Sequence, residues 1–161
     1  MFQFKQIKPA LLAGLIALGF AFHSHPAKAA GTEILTVAGG CFWCVESDFE
    51  SVAGVKQVVS GYTGGNTKNP TYKTVTKGNT GHYEAVQIKF DPAKVNRDQL
   101  LHMFFRSIDP TDAGGQFCDR GQSYATAIFV STNAQAASAR AAKQAAQNAL
   151  GQKIVTPILK A

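Results

Sequence analysis

Three cysteines, Cys41, Cys44 and Cys118, are the residues of this chain best equipped for covalent chemistry. Cys41 follows Gly39-Gly40, where an apolar, β-rich stretch gives way to helical spacing, so its sulfur falls at a helix start. Unpaired N–H groups and the helix dipole favour an anion there, and the thiolate is the reactive form of cysteine. A thiol with a pKa near 8.5 is only about 3% ionised at pH 7, so even a modest depression multiplies the nucleophile. Cys44 lies one helical turn on. An odd number of cysteines leaves at least one thiol free or sets up exchange among all three. Glu84 opens an apolar strand, where desolvation raises a carboxyl pKa and keeps the group protonated near neutrality.

The elements that must position these groups alternate along the chain. Ile34 to Ala38 reads as a strand, and Cys41 to Val52 as a helix with Phe42, Val45, Phe49 and Val52 on one face. Val55 to Ser60 reads as a strand. Gly61 to Gly81, with five glycines, Asn66, Asn69 and Pro70, reads as one long loop, and such loops are usually functional. Ala85 to Phe90 is a strand closed by Asp91-Pro92. Asn96 caps the next helix with Gln99 as its capping-box partner, and Leu100, Leu101, Phe104, Phe105 and Ile108 form its apolar face. Asp109-Pro110 stops that helix, and Thr111 to Gly121 is a second polar loop. Ala125 to Val130 is a strand, Ala134 to Leu150 an Ala-rich helix, and Ile154 to Leu159 a short last strand. The expected class is α+β: a ferredoxin-like βαββαβ two-layer sandwich with a C-terminal helix and a short tail.

The 161 residues fit one domain, and 45% hydrophobic against 16% charged residues suffices for a core. Residues 1–29 read as a cleaved secretory signal and 30–161 as the working domain. Lys5 and Lys8 are the basic segment, and Ala10 to Phe22 is an apolar run of 13 residues, short of the roughly 18–20 that span a bilayer. Ala27-Lys28-Ala29 offers the small residues that signal cleavage requires. The expectation is an exported, periplasmic or secreted protein, with no membrane anchor after cleavage, where disulfides are permitted. The net charge of +6 shrinks once Lys5, Lys8 and Lys28 leave, and no basic run interleaved with aromatics remains, which excludes nucleic acid as a partner.

Gly40-Cys41-Phe42-Trp43-Cys44 resembles the signature of the A-class peptide methionine sulfoxide reductases. The resemblance continues through Ser60 to Gly65, Asn69 to Tyr72, Gly81 to Val86, Asp109 to Thr111 and Cys118 to Tyr124, covering about residues 34–158. It implies an α/β sandwich related to the ferredoxin-like arrangement. It also implies that Cys41 is the nucleophile, that Phe42 and Trp43 form the apolar pocket for the substrate's S-methyl group, and that Glu84 protonates the sulfoxide oxygen. Tyr72 and Tyr124 would hold that oxygen, with Asp119 in the same polar network. The chemistry fits, because a sulfoxide oxygen leaves poorly unless protonated.

The resemblance further implies reduction of methionine S-sulfoxide, free or in oxidised proteins, by a monomer without a bound cofactor. Cys41 sulfenic acid would be resolved as an intramolecular disulfide, and a thioredoxin-like dithiol would supply electrons. Relatives continue past the segment matching Ile154 to Ile158, and their distal recycling cysteines have no counterpart here. Resolution then falls to Cys44 first, to Cys118, or to an external thiol.

Two other readings use the same residues. Cys41, Cys44, His82 and Cys118 form a plausible Cys₃His zinc set. The C-x-x-C spacing also suits a general thiol–disulfide oxidoreductase, though the βαβ context of a thioredoxin-like domain is missing. Tyr62 and His102 read as packing residues, and His82 has no role beyond the zinc alternative.

Overall fold

The structure, a computed structural model, describes residues 31–161. The signal reading of residues 1–29 lies outside the described residues. A five-stranded sheet with strand order β2-β3-β1-β6-β7 organises the chain. Its strands are β1 (Glu33–Gly39), β2 (Val55–Thr63), β3 (Tyr83–Phe90), β6 (Thr126–Val130) and β7 (Ile158–Lys160). Pairing is antiparallel except between β6 and β7. The helices are α1 (Phe42–Glu50), α2 (Tyr72–Thr76), α3 (Arg97–Ser107) and α4 (Asn133–Leu150), and a two-residue hairpin, β4 (Gly115–Gln116) and β5 (Asp119–Arg120), sits apart. The protein is therefore mixed α+β with a mainly antiparallel sheet.

Period-two alternation sends Leu35, Val37, Val86, Ile88, Phe90 and Ile128 to one face of the sheet, where they meet Phe42, Val45 and Phe49 of α1 and Leu100, Leu101, Phe104 and Phe105 of α3. Ala139 of α4 joins the same core. The opposite face is thin, with Ala38, Ala85, Ala127 and Phe129 backed by Tyr83 and Leu159. The α3 capping box forms as expected: Asn96 Oδ1 accepts from the Gln99 N–H at 2.9 Å, and Gln99 Oε1 from the Asn96 N–H at 2.9 Å. No helix among the described residues is long and apolar enough to cross a membrane.

Three expectations need correction. The segment Gly61 to Gly81 is not all loop. β2 runs on to Thr63, because Gly61 and Tyr62 pair with Ala85 and Glu84 across the ladder. Further along, Thr71 caps the five-residue α2 through a capping box completed by Thr74. The second loop, Thr111 to Gly121, contains the β4–β5 hairpin. The last strand begins at Ile158 rather than Ile154, because Pro157 lacks an N–H for a ladder; its carbonyl instead accepts from Ile128 at 3.0 Å.

Candidate active site

The register brings the candidate residues to one end of the sheet. Tyr62 pairs with Glu84, and Gly39 pairs with Thr126, so the end of β1 that leads to Cys41, the start of β3 and the start of β6 share one edge. Gly40 makes the turn from β1 into α1 with φ +90°, a conformation that favours glycine. A Cβ at Gly40 would lie 2.7 Å from Gln116 Cβ, so backbone freedom and close packing both require glycine.

Cys41 is the N-cap of α1, half-buried, and its side chain makes no capping bond. Its carbonyl accepts from the N–H groups of Cys44 and Val45 at 3.1 and 3.2 Å, which fixes the helix start. The next N–H, that of Phe42, donates to Glu84 Oε2 at 3.2 Å. Glu84 is 1% exposed, and its other oxygen, Oε1, has no partner. Burial pushes the Glu84 carboxyl above the ordinary carboxylate range; the Phe42 N–H opposes this, and the negative Asp119 adds to it. The balance is physical: burying a carboxylate costs several kcal/mol, and one hydrogen bond to a charged group returns about 1.5–3. The protonated acid gains in proportion.

Four aromatic rings cluster at Phe42, whose N–H donates to this acid. Phe42 lies 5.3 Å from Trp43, 5.6 Å from Tyr62 and 6.3 Å from Tyr72 between ring centroids, and Trp43 and Tyr72 stack at 5.8 Å. Phe42 is buried, while Trp43 is 61% and Tyr72 49% exposed, so the outer half of the cluster faces solvent. Trp43 is thus no core residue. Tyr124 is pushed up to about 12 by burial first and then by Glu84 and Tyr72, so its hydroxyl stays a donor across the physiological range. Burial and the neighbouring Glu84 also raise Tyr62.

Cys44 is exposed on the first turn of α1. Hydrogen bonding to the Cys41 side chain, then burial, then the charges of Cys41, Asp119 and Asp48 raise its thiol pKa. Cys118 is exposed in the β4–β5 turn, next to Phe117, whose φ is +50°. The Asp112–Arg120 ion pair and the Gly121 N–H to Gly114 carbonyl bond at 2.9 Å close the base of this hairpin.

Electrostatic coupling thus links Cys41, Cys44, Glu84, Tyr72, Tyr124 and Asp119, with the Phe42 and Trp43 rings beside them. The Cys₃His zinc set is not assembled. Among the described residues no three His, Cys, Asp or Glu side chains are grouped as a metal requires. His82 is occupied elsewhere: Nδ1 accepts from the Gly65 N–H at 3.2 Å, and Nε2–H donates to the Thr67 carbonyl at 2.9 Å. It pins the glycine-rich loop, a role the sequence left blank. Gln116, 1% exposed, was also missed. His82 acts on backbone 15 and 17 positions away and Gln116 on backbone 7 and 1 positions away, and no periodic pattern announces such contacts.

A mainly antiparallel α+β sheet with a cysteine at a helix start, a buried acid bonded to that start and an adjoining aromatic cluster narrows the class. Residues 33–161 match the family model described as peptide methionine sulfoxide reductase, and the chain belongs to that family. It is 52% identical over 133 residues to peptide methionine sulfoxide reductase MsrA 2 of Rhizobium meliloti (strain 1021), covering 83% of this chain and 66% of that protein. It is 53% identical over 131 residues to peptide methionine sulfoxide reductase MsrA of Bacillus subtilis (strain 168), covering 80% and 74%. The structure of methionine sulfoxide reductase A of Corynebacterium diphtheriae superposes with a TM-score of 0.75 at 34% identity, covering 81% of this chain and 65% of that one. The chain thus spans about two thirds of the length of such relatives.

Proposed function

We propose that the protein is a peptide-methionine (S)-S-oxide reductase that acts on free and protein-bound methionine sulfoxide. The observation that carries the reading is the Phe42 N–H bond to Glu84. It places a buried, protonation-prone carboxyl with an unpartnered oxygen beside the helix start that bears Cys41.

In this reading the Cys41 thiolate attacks the sulfoxide sulfur while Glu84 gives its proton to the oxygen. The oxygen passes to Cys41 as the sulfenic acid, and methionine leaves as the thioether: sulfur of the substrate is reduced by two electrons and Cys41 is oxidised by two. Tyr72 and Tyr124 donate to the oxygen, Asp119 belongs to their network, and Phe42 and Trp43 receive the S-methyl group. Cys44 then attacks the sulfenic sulfur, forming the Cys41–Cys44 disulfide and releasing water, with Cys118 as the alternative first partner. An external thioredoxin-like dithiol reduces the disulfide, and no bound cofactor is needed.

The strand order of β1, β2, β3 and β6 supports a ferredoxin-like βαββαβ reading of the fold. Residues 1–29 support export and a repair role outside the cytoplasm, where methionine oxidation turns a flexible apolar side chain polar. The test is turnover of the two sulfoxide epimers of a blocked methionine with a dithiol donor. Reduction of the S epimer alone is expected; no turnover of either overturns the assignment. N-terminal sequencing of the exported protein, expected to begin near Ala30, tests the signal.

A further inference from the structure

Gln116 lies between three parts of the site without belonging to any of them. Its side-chain amide pairs with the backbone of Asp109: Oε1 accepts from the Asp109 N–H at 2.7 Å, and Nε2 donates to the Asp109 carbonyl at 2.8 Å. The second Nε2 hydrogen goes to the Gly115 carbonyl at 2.6 Å. Both amide hydrogens and the oxygen are thus bonded, as buried polar groups require. Its Cβ presses on Gly40, the residue before Cys41, closely enough to leave no room for a side chain there. In the β4–β5 hairpin, Gln116 is the residue paired with Asp119.

We propose that Gln116 is a positioning residue that fixes the part of the hairpin bearing Asp119 by tying it to the Asp109 corner and to the turn before Cys41. Asp119 makes no side-chain hydrogen bond among the described residues, so no bond of its own holds the carboxylate, and the hairpin backbone sets the region its charge can reach. That backbone is anchored from inside by the Gln116 amide and from outside by the Asp112–Arg120 pair. The Asp119 charge acts on Glu84, on Tyr124 and on Cys44. A loosened hairpin would shift all three at once. The inference rests on the proposed function only for its kinetic consequence; the electrostatic one stands without it.

Gln116→Met tests the idea, because it keeps an unbranched stem against Gly40 while deleting every amide bond. The Glu84 carboxyl is titrated by NMR in the wild type, Gln116→Met, Asp119→Asn and the double variant. Each single substitution is expected to lower the Glu84 pKa, and Gln116→Met is expected to add nothing once Asp119 is already Asn. In single-turnover reduction of a blocked methionine sulfoxide, Gln116→Met is expected to lose roughly tenfold to a hundredfold in rate with little change in KM.

Thr156→Val serves as a control. It removes the buried Thr126–Thr156 hydroxyl bond of 2.9 Å and is expected to lose stability with the Glu84 titration unmoved. An unchanged Glu84 titration in Gln116→Met, additive effects in the double variant, or an equal shift in Thr156→Val overturns the proposal. If the wild type reduces no sulfoxide, the function is refuted while the titration cycle still decides the role of Gln116. Should Gln116→Met fail to fold, Gln116→Asn replaces it: a neutral amide one carbon shorter cannot span both Asp109 groups and adds no charge near Glu84, so the same outcomes decide.

Discussion

The N–H of Phe42 and the carboxyl of Glu84, 42 positions apart in sequence, are joined by one hydrogen bond of 3.2 Å at the buried end of α1. The bond ties the start of a helix to the start of a strand. The sulfur at position 41 and the acid at position 84 are consequently held by one rigid frame rather than by two loops.

Cys41→Ser is expected to abolish sulfoxide reduction, since a hydroxyl at the same helix start is neither ionised nor oxidised to a resolvable intermediate. Turnover with a dithiol donor measures it. Activity clearly above a blank reaction would place the nucleophile elsewhere.

Glu84→Gln is expected to slow the single-turnover step roughly 10²–10⁴-fold with little effect on KM. The same substitution carries a stability prediction of definite sign. The folded-state pKa of Glu84 is raised above its unfolded value, so the wild type bears no penalty below the unfolded pKa and the full penalty once pH rises past the folded one. Thermal unfolding should therefore show Glu84→Gln gaining on the wild type as pH rises from 4 to 8. A gap that closes with rising pH would contradict the buried-acid account.

Resolution of the oxidised enzyme is expected to run through Cys44. Residues at these two positions of a helix start fall within the roughly 4.4–6.8 Å Cα separation a disulfide needs. The thiol of Cys44 is raised by hydrogen bonding to Cys41, by burial and by nearby negative charge, so its thiolate is scarce at neutral pH. Disulfide closure should accordingly accelerate as pH rises above 7. One equivalent of sulfoxide, alkylation and mass-spectrometric mapping identify the bridge in wild type, Cys44→Ser and Cys118→Ser. A wild-type rate of bridging in Cys44→Ser assigns the step to Cys118.

Gly40→Ala is expected to cost stability. The backbone there has φ +90°, and the added methyl would meet Gln116 Cβ at 2.7 Å, a stem atom with little freedom to retreat. Forcing an L residue into such a conformation costs about 1–3 kcal/mol before the clash is counted. Urea unfolding measures it, and a midpoint equal to the wild type would refute the packing described.

Much of the frame is readable from local pattern. The Phe42, Val45 and Phe49 spacing marks the buried face of α1, and Asn96 with Gln99 marks the start of α3, because these signals lie within a few residues of one another. Glu84 is placed by its apolar neighbours, and the structure buries it. The failures share a cause. Gly61 looks like a loop residue, yet it lies in a ladder whose strength comes from β3, more than twenty positions on. The pairing of β4 with β5 is two residues long and offers no periodicity to detect. His82 serves backbone groups of the Gly65–Thr67 segment, and Gln116 the Asp109 corner, which only the folded chain brings into bonding position. Thr71 escaped notice as a cap because threonine, not glutamate or glutamine, completes its box.

The aromatic wall at Trp43 and Tyr72 stands largely in solvent. On the proposed function, a site open on its apolar side would grip little more than one side chain, leaving the rest of a client molecule outside. Selection would then fall on geometry in the client: a side chain that protrudes or sits in unfolded chain is reached, and one packed in a core must wait for a local opening. On that function, such a site would favour proteins already loosened by damage, sorting clients by how far they have opened rather than by the residues that flank the target.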